Sequence, residues 1–216
     1  MKNIYCISGL GADERFFKHL KIKNTQLKHL TWPEFEDKET METYAMKISS
    51  QIEEKHPIIL GLSFGGMLAT EITKQRRTAK TFLISSAKGR HELPDLSSVL
   101  AYLLKTGIIP YGLLKQPNKI LFDRFGAETE DEKKVLRDIL EKTKTDYLRH
   151  AFKVILNWKN ETVPQNIVHL HGTHDKILPA AFVMPNYWIQ GGTHMMMWNR
   201  ADAIAAVIEM ELKDVA

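Results

Sequence analysis

The chain has 216 residues, of which 44% are hydrophobic and 26% are charged, a composition typical of one folded domain and not of a disordered chain. The net charge of +4 arises from 30 basic and 26 acidic residues, but the two kinds are interleaved, so we expect no nucleic acid as a partner. The single cysteine excludes an intrachain disulfide. No apolar run reaches the ~18 residues of a membrane span, and the first apolar run begins too early for a signal peptide. We therefore predict a cytoplasmic protein.

Six short apolar runs have the length and composition of β-strands, and amphipathic segments with helical spacing separate most of them. Two of the runs are almost continuously apolar, which is typical of strands that are covered on both faces. Strands that alternate with helices predict a parallel α/β sheet. The six runs are residues 3–8, 27–32, 57–63, 81–86, 166–172 and 187–192, and the helical patterns outside the long connection between the fourth and fifth runs are 40–55, 66–75 and 201–213.

Residues 88–162 contain no good strand pattern but several helical ones. One begins at Thr129, which stands three residues before Glu132 at the spacing of a capping box, and it continues with apolar side chains on one side. A second amphipathic pattern follows at 145–158. The sequence therefore predicts a helical insertion between two strands of the sheet.

Ser63 lies between Gly61 and Gly65 in the sequence GLSFG, which has the form G-x-S-x-G. An apolar strand pattern precedes the motif and a helical pattern follows it, which is the context of a nucleophile elbow. In such an elbow a strained turn lifts the serine hydroxyl above the carboxyl end of the sheet. A purely structural turn has the same pattern, so the interpretation depends on partners elsewhere in the chain.

The other strand ends carry the groups that a nucleophilic serine requires: a base, an acid that orients it, and donors for the oxyanion. Asp175 follows the fifth run and His194 follows the sixth, so both should reach the same edge of the sheet as Ser63. The glycine-rich end of the first run supplies the backbone N–H of Leu10. We predict Ser63 as nucleophile, His194 as base, Asp175 as acid, and the N–H groups of Leu10 and Phe64 as the oxyanion hole.

These segments, SGLGADER, GLSFGG, HGTHDKILP and GGTHMM, resemble the oxyanion loop, elbow, acid loop and histidine loop of the α/β-hydrolase superfamily. The resemblance covers the whole chain and is nearest to small bacterial members that begin with a GLGADER segment. It implies a six-stranded, mostly parallel sheet with helices on both faces, without the superfamily's first two strands and with the second and first strands at one side. It also implies a core formed by 1–87 and 163–216, with 88–162 as a helical lid.

Two departures from the superfamily pattern concern the site. Where many relatives have His-Gly before the oxyanion residue, this chain has Ser8 and Gly9. In addition, Asp175 and His194 are closer in sequence than is usual, which predicts that the helix between their loops is reduced to a turn.

A metal site is the main competing interpretation, because His169, His171 and His174 stand close to Asp175 in the sequence HLHGTHD. Histidine clusters of this kind bind zinc in some hydrolases. However, we expect His169 to pack under a helix and His171 to orient the turn at the strand tip, and no second cluster completes a site. We therefore expect neither a metal nor a cofactor.

The sequence thus predicts a carboxylesterase-like or thioesterase-like enzyme that cleaves a small carboxylic ester or thioester through an acyl-serine intermediate. Its partner would be a small ester-like molecule, bound in an apolar acyl pocket lined by Phe64, one of Met195–Met197, and lid residues such as Leu103, Leu104 or Phe122. The same triad would also serve C–C bond, amide or acyl-transfer chemistry. A ligand-sensing protein that binds in the same pocket is the alternative from another class, and the oligomeric state is left open.

Overall fold

A parallel six-stranded β-sheet lies at the centre of the structure, a computed structural model that describes residues 1–94 and 116–215. The strand order is β2-β1-β3-β4-β5-β6 and each neighbouring pair is parallel. The predicted sheet is therefore confirmed, including the position of the second and first strands at one side. The strands are β1 (Lys2–Ile7), β2 (Thr25–His29), β3 (Ile58–Leu62), β4 (Lys80–Ile84), β5 (Ile167–Gly172) and β6 (Tyr187–Ile189).

Helices cover both faces of this sheet. Because successive side chains of a strand point to opposite faces, Ile4 and Cys6 of β1 join one buried cluster while Tyr5 and Ile7 join the other. The α-helices of the described residues are α1 (Met41–Ser49), α2 (Phe64–Gln75), α3 (Lys119–Phe125), α4 (Glu130–Lys142), α5 (Thr145–Asn157), α6 (Met196–Asn199) and α7 (Ala201–Glu211).

The α1 helix is shorter than its sequence pattern predicts, because it ends at Ser49 and not near residue 55. The guanidinium group of Arg76, at the end of α2, donates to the backbone oxygens of Ser49, Ile52 and Glu54. An arginine from a distant part of the chain thus donates to carbonyl groups at and just beyond the helix end, where partners within the helix run out. The chain can then turn, and Ile52 is buried outside the helix.

Helices α3, α4 and α5 belong to the connection between β4 and β5, as the helical patterns predict. The α4 helix begins with the predicted capping box, in which Thr129 accepts from the backbone of Glu132 and Glu132 accepts from the backbone of Thr129. The division of the chain into a core and a lid stays a prediction, and Leu103 and Leu104 lie outside the described residues.

The connection between β5 and β6 contains a single 3₁₀ turn, Ala180–Phe182, so the helix that is usual here is reduced to a turn, as predicted. The carboxyl ends of β1, β3, β5 and β6 all meet at one edge of the parallel sheet.

Among the described residues, no helix combines the length and apolar character needed to cross a membrane.

Candidate active site

Ser63 forms the sharp turn between β3 and α2. Its backbone has φ +52° and ψ −119°, a conformation that is strained for a residue with a side chain. The flanking glycines allow the close packing that this turn requires. A Cβ atom on Gly65 would lie 2.2 Å from the backbone oxygen of Ser8, and one on Gly61 would lie 2.5 Å from that of Gly65. Neither position has room for any other residue.

His194 lies between Ser63 and Asp175 and is within hydrogen-bonding distance of both. Its Nε2 atom is 3.0 Å from Ser63 Oγ, and its Nδ1 atom is 2.8 Å from Asp175 Oδ2. His194 and Asp175 are only 6% and 4% exposed. With an ionised Asp175, Nδ1 carries a proton and donates it, so in the neutral imidazole the Nε2 lone pair faces the serine hydroxyl.

The Asp175 carboxylate is held in its ionised form by several donors. Its Oδ1 atom accepts from the backbone N–H groups of Ile177 and Leu178, each at 2.9 Å, while Oδ2 faces His194. Burial tends to raise the pKa of this carboxyl, but His194, the Leu178 N–H and the nearby His171 together lower the pKa below its ordinary value. The acid is thus a fixed negative charge beside the imidazole.

The acid loop and the histidine loop are packed directly on each other where they leave the sheet. A Cβ atom on Gly172 would lie 2.2 Å from the backbone oxygen of Gly192. The backbone N–H of His174 donates to that same oxygen at 2.8 Å. This close backbone contact brings Asp175 and His194 together although short loops on two different strands carry them.

The loop after β1 lies against Ser63 and contains a tight turn. The backbone N–H of Ala12 donates to the oxygen of Gly9 at 2.9 Å, and Gly11 has φ +70°, the left-handed conformation that this turn position requires. Gly9 is so near Ser63 that a Cβ atom on it would be 3.4 Å from Ser63 Cβ. Leu10 is half-buried at the corner of this turn and lines the same cavity as Ser63.

Both N–H groups predicted to bind an oxyanion are available in this arrangement. Among the described residues, no backbone group accepts from the Leu10 N–H. Phe64 is the first residue of α2, and the first N–H groups of an α-helix have no partner within it. Both residues line the same cavity as Ser63 and His194. Their oxyanion role stays a prediction.

A pair of buried histidines lies behind Asp175. His171 Nε2 donates to the backbone oxygen of Leu178 at 2.9 Å and is 3.6 Å from Asp175 Oδ2, so its Nδ1 accepts from His169 Nε2 at 3.3 Å. Burial lowers the pKa of both histidines, most strongly that of His169. In the described part of the chain, no three His, Cys, Asp or Glu side chains are grouped so that they could hold a metal ion.

A cavity of about 450 Å³ opens above Ser63. Its walls come from the oxyanion loop, the elbow, the acid loop and the helices α3 to α5, and most of the side chains are apolar. Those outside the four loops are Phe16, Met67, Leu121, Phe125, Leu136, Ile139, Leu140, Leu148, Phe152, Ile155 and Leu156, with Arg90, Leu93, Pro94 and Thr143.

A largely apolar cavity lies where the acyl pocket is expected, but some of the predicted lining residues are wrong. Phe64 lines the cavity, whereas Phe122 does not, because Leu121 and Phe125 occupy the inward face of α3 one turn apart and Phe122 points toward Arg137. Met195–Met197 are fully buried in the hydrophobic core and do not line the cavity.

The C-terminal ends of α3 and α4 contact the histidine loop and the oxyanion loop, respectively. The Phe125 ring meets the His194 ring edge-on at 5.5 Å, and the Phe125 backbone oxygen accepts from the Met195 N–H at 3.2 Å. Thr143, the residue that follows α4, packs on Gly11 of the oxyanion loop. The sequence pattern of this segment contained no sign of these contacts.

Comparison with known proteins finds similarity in structure alone, because no family model and no curated protein matches the sequence. An esterase from Exiguobacterium antarcticum superposes with a TM-score of 0.75 at 12% identity, over 99% of this chain and 92% of that chain. A thermophilic esterase from Thermogutta terrifontis gives 0.72 at 14% identity, over 100% and 90%. A bromoperoxidase from Bacillus anthracis gives 0.72 at 16% identity, over 99% and 92%. This chain therefore has the α/β-hydrolase fold, as the sequence motifs implied.

Proposed function

We propose that the protein is a serine hydrolase that cleaves a carboxylic ester or thioester through an acyl-serine intermediate. The observation that carries this proposal is the hydrogen-bonded line from Ser63 Oγ through His194 to Asp175, with distances of 3.0 and 2.8 Å. A strained serine, an imidazole and a buried carboxylate in this order are the parts that nucleophilic catalysis by serine requires. The α/β-hydrolase fold and the esterases among its structural neighbours support the same reaction class.

The first half of the reaction forms the acyl-serine. His194 Nε2 accepts the proton of Ser63 as Oγ attacks the carbonyl carbon, and the carbonyl π electrons move to oxygen to form the tetrahedral oxyanion. The N–H groups of Leu10 and Phe64 donate to this oxyanion, and one such donor typically contributes a factor of about 10²–10³ in turnover. The intermediate collapses, and His194 gives its proton to the departing alcohol or thiol. Asp175 stabilises the charged imidazolium throughout.

The second half of the reaction releases the acid. His194 takes a proton from a water molecule, whose oxygen attacks the acyl-serine carbonyl. The same oxyanion donors stabilise the second tetrahedral intermediate. His194 then returns the proton to Ser63 Oγ, and the carboxylic acid leaves. Apart from the substrate and this water molecule, every group in these steps belongs to the chain.

We further propose that the non-reacting parts of the substrate are apolar. Apart from the reacting groups, the described side chains that line the cavity offer few polar atoms for binding, chiefly those of Thr143 and Arg90. Burial of one methylene contributes about 0.8 kcal/mol, so two extra methylenes that fit the cavity should raise kcat/KM by up to about 15-fold.

The experiment compares hydrolysis of p-nitrophenyl acetate, butyrate and octanoate by the wild type, Ser63→Ala and the exposed-site control Ser50→Ala. We expect Ser63→Ala to lose a factor on the order of 10⁶ in kcat, while Ser50→Ala retains the wild-type rate. A fluorophosphonate should label the wild type on Ser63, as read by peptide mass. Equal rates for the wild type and Ser63→Ala would show that Ser63 is not the nucleophile.

The same panel separates the alternatives that keep the triad. Amide, C–C bond and acyl-transfer substrates would use the same steps at Ser63, so the corresponding substrates belong in the screen. If every ester binds to the wild type but none is cleaved faster than by Ser63→Ala, the protein is a ligand-binding protein and not a hydrolase.

A further inference from the structure

We propose that Trp32 and Ser8 are positioning residues of the oxyanion hole, which hold the N–H groups of Leu10 and Phe64 in a fixed relation to each other. The inference depends on the serine hydrolase function proposed above. Neither residue belongs to the triad, and Trp32 follows β2, a strand that contributes none of Ser63, Asp175 and His194.

The first observation is that Ser8 and Trp32 close the base of the oxyanion loop, residues 8–12. Ser8 Oγ donates to the backbone oxygen of Ala12 at 2.7 Å, and the indole Nε1–H of Trp32 donates to Ser8 Oγ at 2.9 Å. A hydroxyl has one proton to donate, and here it goes to Ala12, so Ser8 must accept from Trp32. The directions of both hydrogen bonds are therefore set.

These hydrogen bonds join Ser8 and Ala12, the two ends of this 8–12 segment, and we call this closure the neck of the loop. The turn between Gly9 and Ala12, with Leu10 at its corner, lies entirely inside this closure. Trp32 Nε1 also lies 3.3 Å from the Ala12 oxygen, so that oxygen accepts from two donors. Ser8 is only 6% exposed, which limits the competition from water for these bonds. The direction of the Leu10 N–H thus depends on the closed neck.

The second observation is that the same indole ring packs on the residue of the other donor. The rings of Trp32 and Phe64 are nearly parallel, with an interplanar angle of 10° and centroids 5.7 Å apart. Phe64 is almost fully buried. Trp32 therefore contacts both halves of the oxyanion hole: it donates to the loop of Leu10 and stacks on the side chain of Phe64.

The position of Trp32 follows from the sheet. Strand β2 pairs with β1 in a parallel register that matches His29 with Cys6, and the Leu30 N–H extends this pairing by donating to the Cys6 oxygen at 2.9 Å. Ser8 stands two residues beyond Cys6 and Trp32 stands two residues beyond Leu30, so the pairing of Leu30 with Cys6 brings Trp32 near Ser8. Trp32 is held from another side by Tyr147 of α5, whose ring meets the indole at an angle of 69°.

The test uses Trp32→Phe and Ser8→Ala, with butyrate ester kinetics as the first measurement. Trp32→Phe keeps an aromatic ring against Phe64 but removes the N–H, and Ser8→Ala opens the neck. Loss of a whole oxyanion donor costs about 10²–10³ in turnover, so loosening one should lower kcat by roughly 10- to 100-fold, with little change in KM. The double variant should lose less than the product of the single losses, because both residues act in one network.

A second measurement separates positioning from a general loss of stability. A trifluoromethyl ketone with a butyl chain forms a tetrahedral oxyanion on an active-site serine, whereas the matched methyl ketone binds mainly by its chain. We expect each variant to weaken the trifluoromethyl ketone by the same factor as kcat/KM and to leave the methyl ketone unchanged within about twofold.

The matched control is Trp158→Phe, which also removes an indole N–H, in that case one that donates to Glu71 at 2.7 Å away from the oxyanion loop. It should lower the melting temperature without changing kcat. If Ser63→Ala is as active as the wild type, the hydrolase proposal fails first. If Ser63 is required but Trp32→Phe and Ser8→Ala keep the wild-type kcat and inhibitor affinity, the positioning role alone is wrong. Should Trp32→Phe fail to fold, Ser8→Ala gives the same decision.

Discussion

Replacing the buried His169 with glutamine should reduce the loss of stability that the protein undergoes in mild acid. The His169 side chain is fully buried, and its pKa lies well below the ordinary value, first because of burial and then because of the neighbouring His171 and Lys88 charges. The imidazole therefore stays neutral in the folded protein at a pH where the unfolded chain binds a proton. Glutamine can still donate to His171 but binds no proton in either state.

The magnitude follows from the difference in bound protons. An unfolded histidine titrates near pH 6.5, so below this pH the unfolded chain holds one more proton than the folded protein, and the free energy of unfolding falls as the pH falls. The slope is about 1.4 kcal/mol per pH unit for one such group, or about 2 kcal/mol between pH 7.5 and pH 5. Carboxylates with lowered pKa values, such as Asp175, lose their stabilisation only at lower pH, as the pH falls through their folded-state pKa.

The assay is urea unfolding of the wild type, His169→Gln and His56→Gln at pH 7.5 and pH 5. His56 is exposed, so its variant should lose as much stability between the two pH values as the wild type. His169→Gln should lose about 2 kcal/mol less. Glutamine fills the site differently from histidine, so His169→Gln can be less stable than the wild type at both pH values. The comparison therefore uses the change in unfolding free energy between pH 7.5 and pH 5 for each protein. An equal acid-induced loss in His169→Gln and the wild type would refute a buried neutral His169.

Three further outcomes are expected. Gly65→Ala should abolish ester hydrolysis and lower the yield of folded protein, since its Cβ would lie 2.2 Å from the Ser8 backbone oxygen; wild-type activity would contradict the elbow packing. Asp175→Asn should lower kcat by about 10⁴-fold while substrate KM changes little, and a rate within tenfold of the wild type would mean that the carboxylate does not orient His194. Leu148→Trp should shorten the acyl chain that the cavity accepts, because the larger ring occupies cavity volume. Excluding two methylenes should lower kcat/KM for octanoate roughly 15-fold relative to acetate. An unchanged ratio of the two kcat/KM values would show that the acyl chain does not bind beside Leu148.

Much of the fold was readable from local sequence patterns. Apolar runs of strand length, separated by helical spacing, predicted six parallel strands, and the strand order agrees with the superfamily to which the motifs pointed. The turn at Ser63 was predictable because Gly61 and Gly65 stand two residues before and after it in the chain. The capping box of α4 was predictable for the same reason, since Thr129 and Glu132 are three residues apart.

For the predicted triad, the sequence indicated the residues but not the distances between their side chains. Spacing along the chain indicated which residues stand at strand ends, and therefore at which edge of the sheet they would meet. Whether His194 lies within hydrogen-bonding distance of both Ser63 and Asp175 depends on the backbone contact between Gly172 and Gly192, which are far apart in sequence.

Other features depended wholly on the packed chain. Arg76 ends α1 by binding carbonyl oxygens more than twenty residues away, and Trp32 reaches Ser8 only because β2 pairs with β1. The inward face of α3 carries Leu121 and Phe125 in place of Phe122 because of how that helix packs. Sequence patterns report periodicity among near neighbours, whereas these contacts join distant segments whose relative position is set by close packing of the whole core.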